Sequence, residues 1–199
     1  LLVTHVLGHI CDMERLCEVA RHHALVVIED AAEALGSYRN GHHAGHWGQI
    51  STLSFNGNKI ITTGGGGAIL VQDPQLARRA RHLTTTAKLK HRWAFDHDEV
   101  GFNYRMPNLN AALGVAQMPR LARLVDEKRC LSARYATVLA DVTGVEYFVE
   151  PAENRGNQWL CLLLLDNSNE RDALLAGAHD QGLLLRPFWT PLNRLPMYA

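Results

Sequence analysis

The chain has 199 residues, 47% of them hydrophobic, with 20 lysines and arginines against 20 aspartates and glutamates. That length suffices for one domain and part of another, with enough apolar residues for a buried core. The balanced charge excludes the strong field of a nucleic-acid or anionic-membrane binder, no apolar run is long enough for a membrane-crossing helix, and the four cysteines, Cys11, Cys17, Cys130 and Cys161, lack Cys-x-x-Cys spacing and read as free buried thiols in a reducing cytosol.

Leu1 to Val6 reads as a short buried strand. The start, Leu1-Leu2-Val3, has neither an initiator Met nor a charged leading region, so it is not read as a signal peptide. Asp12 can cap a helix running to about Arg21, with Met13, Leu16, Cys17 and Ala20 on one face. Ala24 to Ile28 is continuous and β-branched, which suits a parallel strand covered on both sides. Gly36 to Gly48 reads as a turn-rich loop. It contains His42, His43 and His46, but no Cys or acid nearby completes a metal ligand set, and an exposed loop is expected. Ile50 to Phe55 is the next strand.

Asp73-Pro74 opens a helix with Leu76, Ala80 and Leu83 as its buried stripe. Thr84 to Glu99 is polar and reads as a solvated loop, with a substrate-phosphate site as the alternative. Pro107 begins another helix, with Leu109, Ala112, Leu113 and Ala116 on one face. Composition shifts near Pro119, and Leu121 to Ala140 reads as a long amphipathic helix linking two domains. Gly144 to Phe148 and Gln158 to Leu165 read as strands. Asn169 can cap a helix ending at Gly182, and Leu183 to Arg186 reads as a further strand.

The chemistry concentrates between Ile28 and Gly67. Asp30 ends an apolar strand, at the edge where α/β sheets place ligands. Ser54 precedes Lys59 in a small-residue loop, and a run of glycines, Gly64 to Gly67, follows. A lysine that forms a Schiff base must lose its proton near neutral pH, which desolvation favours. The neighbours Phe55, Gly57, Ile60 and Ile61 suit partial burial. A carboxylate such as Asp30 can keep the ring nitrogen of pyridoxal phosphate protonated, the state in which it serves as an electron sink. The glycines lack the Gly-Lys-Ser/Thr of a nucleotide cradle and read as a tight turn into a strand from Ala68 to Val71.

Glu29-Asp30-Ala31-Ala32-Glu33-Ala34-Leu35-Gly36-Ser37, Leu53 to Gly67, and Gly101-Phe102-Asn103-Tyr104-Arg105-Met106 resemble the DegT/StrS-type family of pyridoxal-phosphate-dependent nucleotide-sugar aminotransferases. The resemblance is to the branch serving bacillosamine and legionaminic acid pathways. It implies that Lys59 bonds the cofactor and shuttles protons, Asp30 pairs with the pyridinium nitrogen, and Ala32 packs on the ring. It puts Glu33 near the ring hydroxyl and Ser54 on the phosphate. Asn103 would reach the phosphate of the neighbouring subunit's cofactor. Asn193 stands where relatives often have His, and no role is assigned to it.

The resemblance also implies that segments precede and follow this chain, including a Gly-Thr phosphate loop and a ring-stacking aromatic residue. The chain is therefore expected to be a fragment, inactive alone. The expected fold is α/β, a fold-type-I transferase with a mixed, mainly parallel sheet sandwiched by helices, plus a smaller α+β lobe. Residues 1–118 would be the later part of a large cofactor-binding domain and 119–199 a small, truncated domain. The implied enzyme is a cytoplasmic homodimer with shared active sites. It would transfer an amino group from an amino acid, L-glutamate, to a keto carbon of a nucleotide-linked sugar for surface glycans, binding neither nucleic acid nor membrane. A sugar dehydratase of the same fold, which typically has His in place of the lysine, and a non-catalytic homologue are the alternatives.

Overall fold

The computed structural model describes residues 1–198. In chain order its elements are β1 (Leu2–Thr4), α1 (Met13–His22), β2 (Ile28–Asp30), β3 (Tyr38–Arg39), β4 (His42–His43), β5 (Ile50–Ser54), β6 (Gly67–Val71), α2 (Pro74–Thr84), α3 (Asn108–Gln117), α4 (Leu121–Leu139), β7 (Val145–Tyr147), β8 (Asn154–Arg155), β9 (Leu163–Leu165) and α5 (Ser168–Asp180), with short 3-10 turns between some of them. They pack as two compact units. The first holds Leu1–Arg134 and Val149–Cys161; the second holds Tyr135–Phe148 and the chain from Leu162 onward. Among the described residues, no helix is long and apolar enough to cross a membrane.

A sheet in the order β1-β2-β5-β6 organises the first unit. β1, β2 and β5 are parallel and β6 runs antiparallel to β5, giving the mixed, mainly parallel α/β sheet expected. Register places Val3, Glu29, Ser51 and Leu70 in one row across the sheet, and Leu2, Ile28, Ile50 and Val71 in the next. Adjacent residues of a strand face opposite sides. The Val3 row lies toward a core that includes Met13 and Ala20 of α1 and Ala44. Leu2 and Ile28 on the other side are 67% and 38% exposed. Among the described residues the strand is thus covered on one side, not on both.

Local chemistry sets the ends of these elements. Asp12 caps α1 by accepting from the Arg15 N–H, and Met13, Leu16, Cys17 and Ala20 face the core as expected. At the other end Ala24 adopts φ 51°, and the Leu25 N–H returns to the Ala20 carbonyl at 2.8 Å, a left-handed helix stop. Residues 24 and 25 therefore finish the helix, and β2 begins at Ile28 rather than at Ala24. Asp73 caps α2 by accepting from Gln75 N–H at 2.7 Å.

The apolar face of α3, with Leu109, Ala112, Leu113 and Ala116 together on it, is the exposed one. Leu109 is 87% and Val115 73% exposed. The inward stripe is polar: Asn110 donates to the Thr63 carbonyl, and Gln117 accepts from Thr62 N–H at 3.1 Å and donates to Thr62 O at 2.9 Å. A Cβ on Gly114 would lie 2.9 Å from the Thr63 methyl. The chain leading into the glycine run has backbone groups with no ladder partner, and side-chain amides can satisfy them where leucines cannot.

β3 and β4 form a hairpin that carries the histidines. The two ring nitrogens of His43 are engaged, Nε2 accepting from Gly36 N–H at 2.8 Å and Nδ1 facing the Ala44 carbonyl. Burial pushes its pKa down, which suits a neutral ring that pins the backbone. His42 and His46 stack at 4.5 Å.

In the second unit β7 pairs antiparallel with β9, and α5 is capped by Asn167, not Asn169. Asn167 accepts from the N–H groups of Asn169 and Glu170, both at 3.0 Å. The expected strand from Gln158 shrinks to Leu163–Leu165, because residues up to Cys161 fold into the first unit. Leu183 to Arg186 is not a strand: the Leu183 N–H turns back to the Ala178 carbonyl at 2.8 Å, closing α5 through Gly182 at φ 75°.

Candidate active site

Alternation along β2 and β5 puts Ile28 and Asp30 on the same side of the sheet as Ile50, Thr52 and Ser54. Because the two strands are parallel, Asp30 and Ser54 reach the same edge, at their C-terminal ends. Asp30 Oδ1 accepts from the Ala32 N–H at 3.1 Å, which turns the chain off the strand. Its other oxygen accepts no hydrogen bond from the described residues. Ser54 Oγ accepts from Asn56 N–H at 3.2 Å, so the hydroxyl proton remains to donate outward. Ala32, beside Asp30, is partly exposed, and a Cβ added at Gly57 or Gly65 would meet nothing within 4 Å.

Lys59 follows a turn in which its N–H bonds the Asn56 carbonyl at 3.1 Å. The side chain is 13% exposed, and Nζ lies 3.7 Å from Glu33 Oε1. Glu33 Oε2 accepts from the Leu7 N–H at 2.7 Å, which leaves Oε1 to face the lysine. On another side, Nζ sits 3.9 Å from the centre of the Trp159 ring. An open cleft of about 290 Å³ beside Lys59 is lined by Asn58, Ile60, Leu124, Lys128 and Trp159.

Sequence reasoning missed the wall that holds this arrangement. Asn157 is fully buried. Its Nδ2 donates to the carbonyls of Glu33 and Leu35 at 2.8 and 2.9 Å, and its Oδ1 accepts from Trp159 N–H at 2.9 Å. Ser37 Oγ donates to Gly8 O at 2.6 Å and accepts from Asn157 N–H at 2.9 Å. A side chain at Gly8 would overlap Asn157, since a Cβ there lies 2.0 Å from Oδ1. The available signal was the pair Asn157-Gln158 leading an otherwise apolar run, polar residues that demand partners when buried.

Behind the site, Glu29 is fully buried. Its carboxylate contacts His5 Nε2 at 2.9 Å and accepts from Gly45 N–H at 2.8 Å, Gly48 N–H and Ser51 Oγ–H. Burial works to raise the Glu29 pKa, but the bonds from His5, Gly48 and Gly45 outweigh it and hold it low. Burial likewise disfavours charged His5, yet Cys11 and Glu29 lift its pKa to about 9. This pair fixes β2 between β1 and the hairpin and so supports Asp30 from below.

Asn103 lies elsewhere in the first unit. It forms a bridge with Thr85, flanked by Phe102 N–H to Leu83 O at 2.7 Å and Tyr104 N–H to Thr84 O at 2.9 Å. No hydrogen bond joins it to Asp30, Ser54 or Lys59 among the described residues. Asn193 is exposed in a 3-10 turn, Leu192–Arg194, of the second unit.

The chain is similar to known proteins along its whole length. The chain is 36% identical to the GDP-perosamine synthase of Escherichia coli O157:H7 over 199 residues, all of this chain and 54% of that protein. It is 34% identical to EpsN of Bacillus subtilis strain 168, whose name describes a pyridoxal phosphate-dependent aminotransferase; 99% of this chain matches 50% of EpsN. The crystal structure of the aminotransferase TlmJ from Streptoalloteichus hindustanus superposes with a TM-score of 0.94 at 28% identity, covering 100% of this chain and 54% of TlmJ. The chain thus spans about half the length of the relatives it matches. A family model matches from the first residue to the last, residues 1–199, and the chain belongs to the DegT/DnrJ/EryC1/StrS aminotransferase family.

Proposed function

We propose that the protein carrying this chain is a pyridoxal 5′-phosphate-dependent aminotransferase. Its reaction moves an amino group from an amino acid, L-glutamate, to a keto carbon of a nucleotide-linked sugar, toward amino sugars of surface glycans. The observation that carries this reading is the placement of Asp30 and Ser54 on one face and one edge of two adjacent parallel strands, with Lys59 in the loop that follows.

The residues fit the cofactor chemically. Asp30 has one carboxylate oxygen engaged by Ala32 and the other available to a cationic ring N–H. Ser54 keeps a proton for a phosphate oxygen, its acceptor site being filled by Asn56. Lys59 would supply the amine that bonds the cofactor, Ala32 would pack on the ring, and Glu33, whose Oε1 lies 3.7 Å from the amine, would serve the ring hydroxyl. Bound there, the cofactor supplies an electron sink for the bonds at the amine-bearing carbon. The chain's own contribution is to hold that group, fix a charge at its ring nitrogen, and move protons through Lys59.

A homodimer with shared sites, working in the cytoplasm, completes the proposal. Asn103 is exposed and, among the described residues, forms no hydrogen bond with Asp30, Ser54 or Lys59 of its own chain. It is flanked in sequence by Phe102 and Tyr104, which are 50% and 73% exposed, and Leu109 and Val115 in the α3 that follows are 87% and 73% exposed. An apolar surface of that kind is what a two-fold interface covers. Residues 1–118 would then serve as the later part of the cofactor-binding domain and 119–199 as the smaller domain. The test is the absorbance spectrum of the complete protein with cofactor, before and after glutamate. A visible band that shifts to the ultraviolet on adding glutamate supports transfer, and an unchanged spectrum with a range of amino acids contradicts it.

A further inference from the structure

We propose that Trp159 is the positioning residue for the Lys59 amine. The proposal rests on the reading of Lys59 as the residue that bonds the cofactor. The loop carrying Lys59 has little of its own to hold a long, rotamer-rich side chain. Asn56, Gly57 and Asn58 are exposed, and space around Gly57 is open. Fixation comes from Trp159, far along the chain but in the same unit.

The indole is itself fixed at several points. Its Nε1–H donates to the Asn58 carbonyl at 2.6 Å, tying the ring to the residue just before the lysine. Its backbone N–H is held by Asn157 Oδ1 at 2.9 Å, and its carbonyl accepts from Lys128 Nζ at 3.4 Å. Trp159 as a whole is 5% exposed. Its face meets Nζ at 3.9 Å, within range for a cation–π contact, and Glu33 Oε1 lies 3.7 Å away. Carboxylate and ring together restrict where the amine can sit, while Asn157 couples both, since it also holds the Glu33 carbonyl at 2.8 Å. A tryptophan filling space would need none of this; here the polar tip is bonded to the lysine's own turn and the π face is turned to the amine.

The test uses the complete protein, freed of cofactor, as wild type, Trp159→Leu and Trp159→Phe. Two ligands separate positioning from wall-building. Pyridoxal 5′-phosphate carries an aldehyde that can bond Lys59, whereas pyridoxamine 5′-phosphate cannot bond it. The Leu variant should capture pyridoxal phosphate about five- to tenfold more slowly, with pyridoxamine phosphate affinity held within about twofold. The Phe variant keeps a ring but loses the indole N–H, so it should lie between, slowed about two- to threefold with the same unaltered affinity. If the Leu variant does not fold, the Phe variant decides. Unslowed capture in whichever variant folds, or equal loss of both ligands, overturns the proposal. Failure of wild type to form a borohydride-fixable adduct on Lys59 would instead remove the reading beneath it.

Discussion

The side-chain amide of Asn157 donates to the Glu33 carbonyl at 2.8 Å across 124 positions of sequence. The same amide bonds Leu35, so one buried side chain fixes the turn after Asp30 from a segment beyond α4. Asn157→Ala should leave those carbonyls without a partner and cost about 2–4 kcal/mol of stability. Urea unfolding of the complete protein checks this, and a loss under about 0.5 kcal/mol would show the turn is held otherwise.

The Asp30→Asn variant keeps an acceptor for the Ala32 N–H but removes the negative charge. Turnover should fall at least about 100-fold while the cofactor still binds. Steady-state kinetics alongside the absorbance of bound cofactor separates the two effects. Near-normal turnover would mean that another group serves the ring nitrogen.

Stability should depend on pH through the buried His5–Glu29 pair. The folded pKa of His5 stands at about 9 against an ordinary 6.5, so its contribution is complete below pH 6.5 and is lost as pH rises through 9. Glu29 is held below its ordinary 4.5, so its contribution is present above that value and is lost as pH falls further. The pair therefore supports the fold most between about pH 4.5 and 6.5. Glu29→Gln should cost on the order of 3 kcal/mol and flatten the decline between pH 6.5 and 9. Thermal unfolding across that range in wild type and variant is the measurement; parallel curves would contradict it.

Much of this was legible because local signals sufficed. Asp12 and Asp73 announce the helices they cap, the apolar runs at Leu1 and Ile50 announce strands, and Asp30, Ser54 and Lys59 stand where alternation and a small-residue loop can place them. What was not legible depends on distant partners. The polar face of α3 turns inward because Thr62 and Thr63 need amides, a demand visible only once the glycine loop is folded. Trp159 looked like part of a strand, and Asn157 was given no role, because nothing local shows that they return to Glu33 and Lys59. Glu29 lies within the stretch from Glu29 to Ser37, but its role depends on His5 from another strand's end.

Sharing of the site between subunits can be tested by complementation. Lys59→Ala and Asn103→Ala, each in the complete protein, should be inactive or nearly so. Mixed under conditions that exchange subunits, they should recover activity well above either parent, because a mixed dimer then holds one intact site. Activity staying at the parental level would place both residues on the same subunit's cofactor.

The most direct measurement is the site of covalent attachment. The complete protein is loaded with pyridoxal 5′-phosphate, reduced with borohydride and mapped by peptide mass spectrometry. The account predicts a pyridoxyl group on Lys59, the lysine facing Glu33 and Trp159. An adduct on Lys88 or Lys90 instead, or no adduct on any lysine, would contradict it.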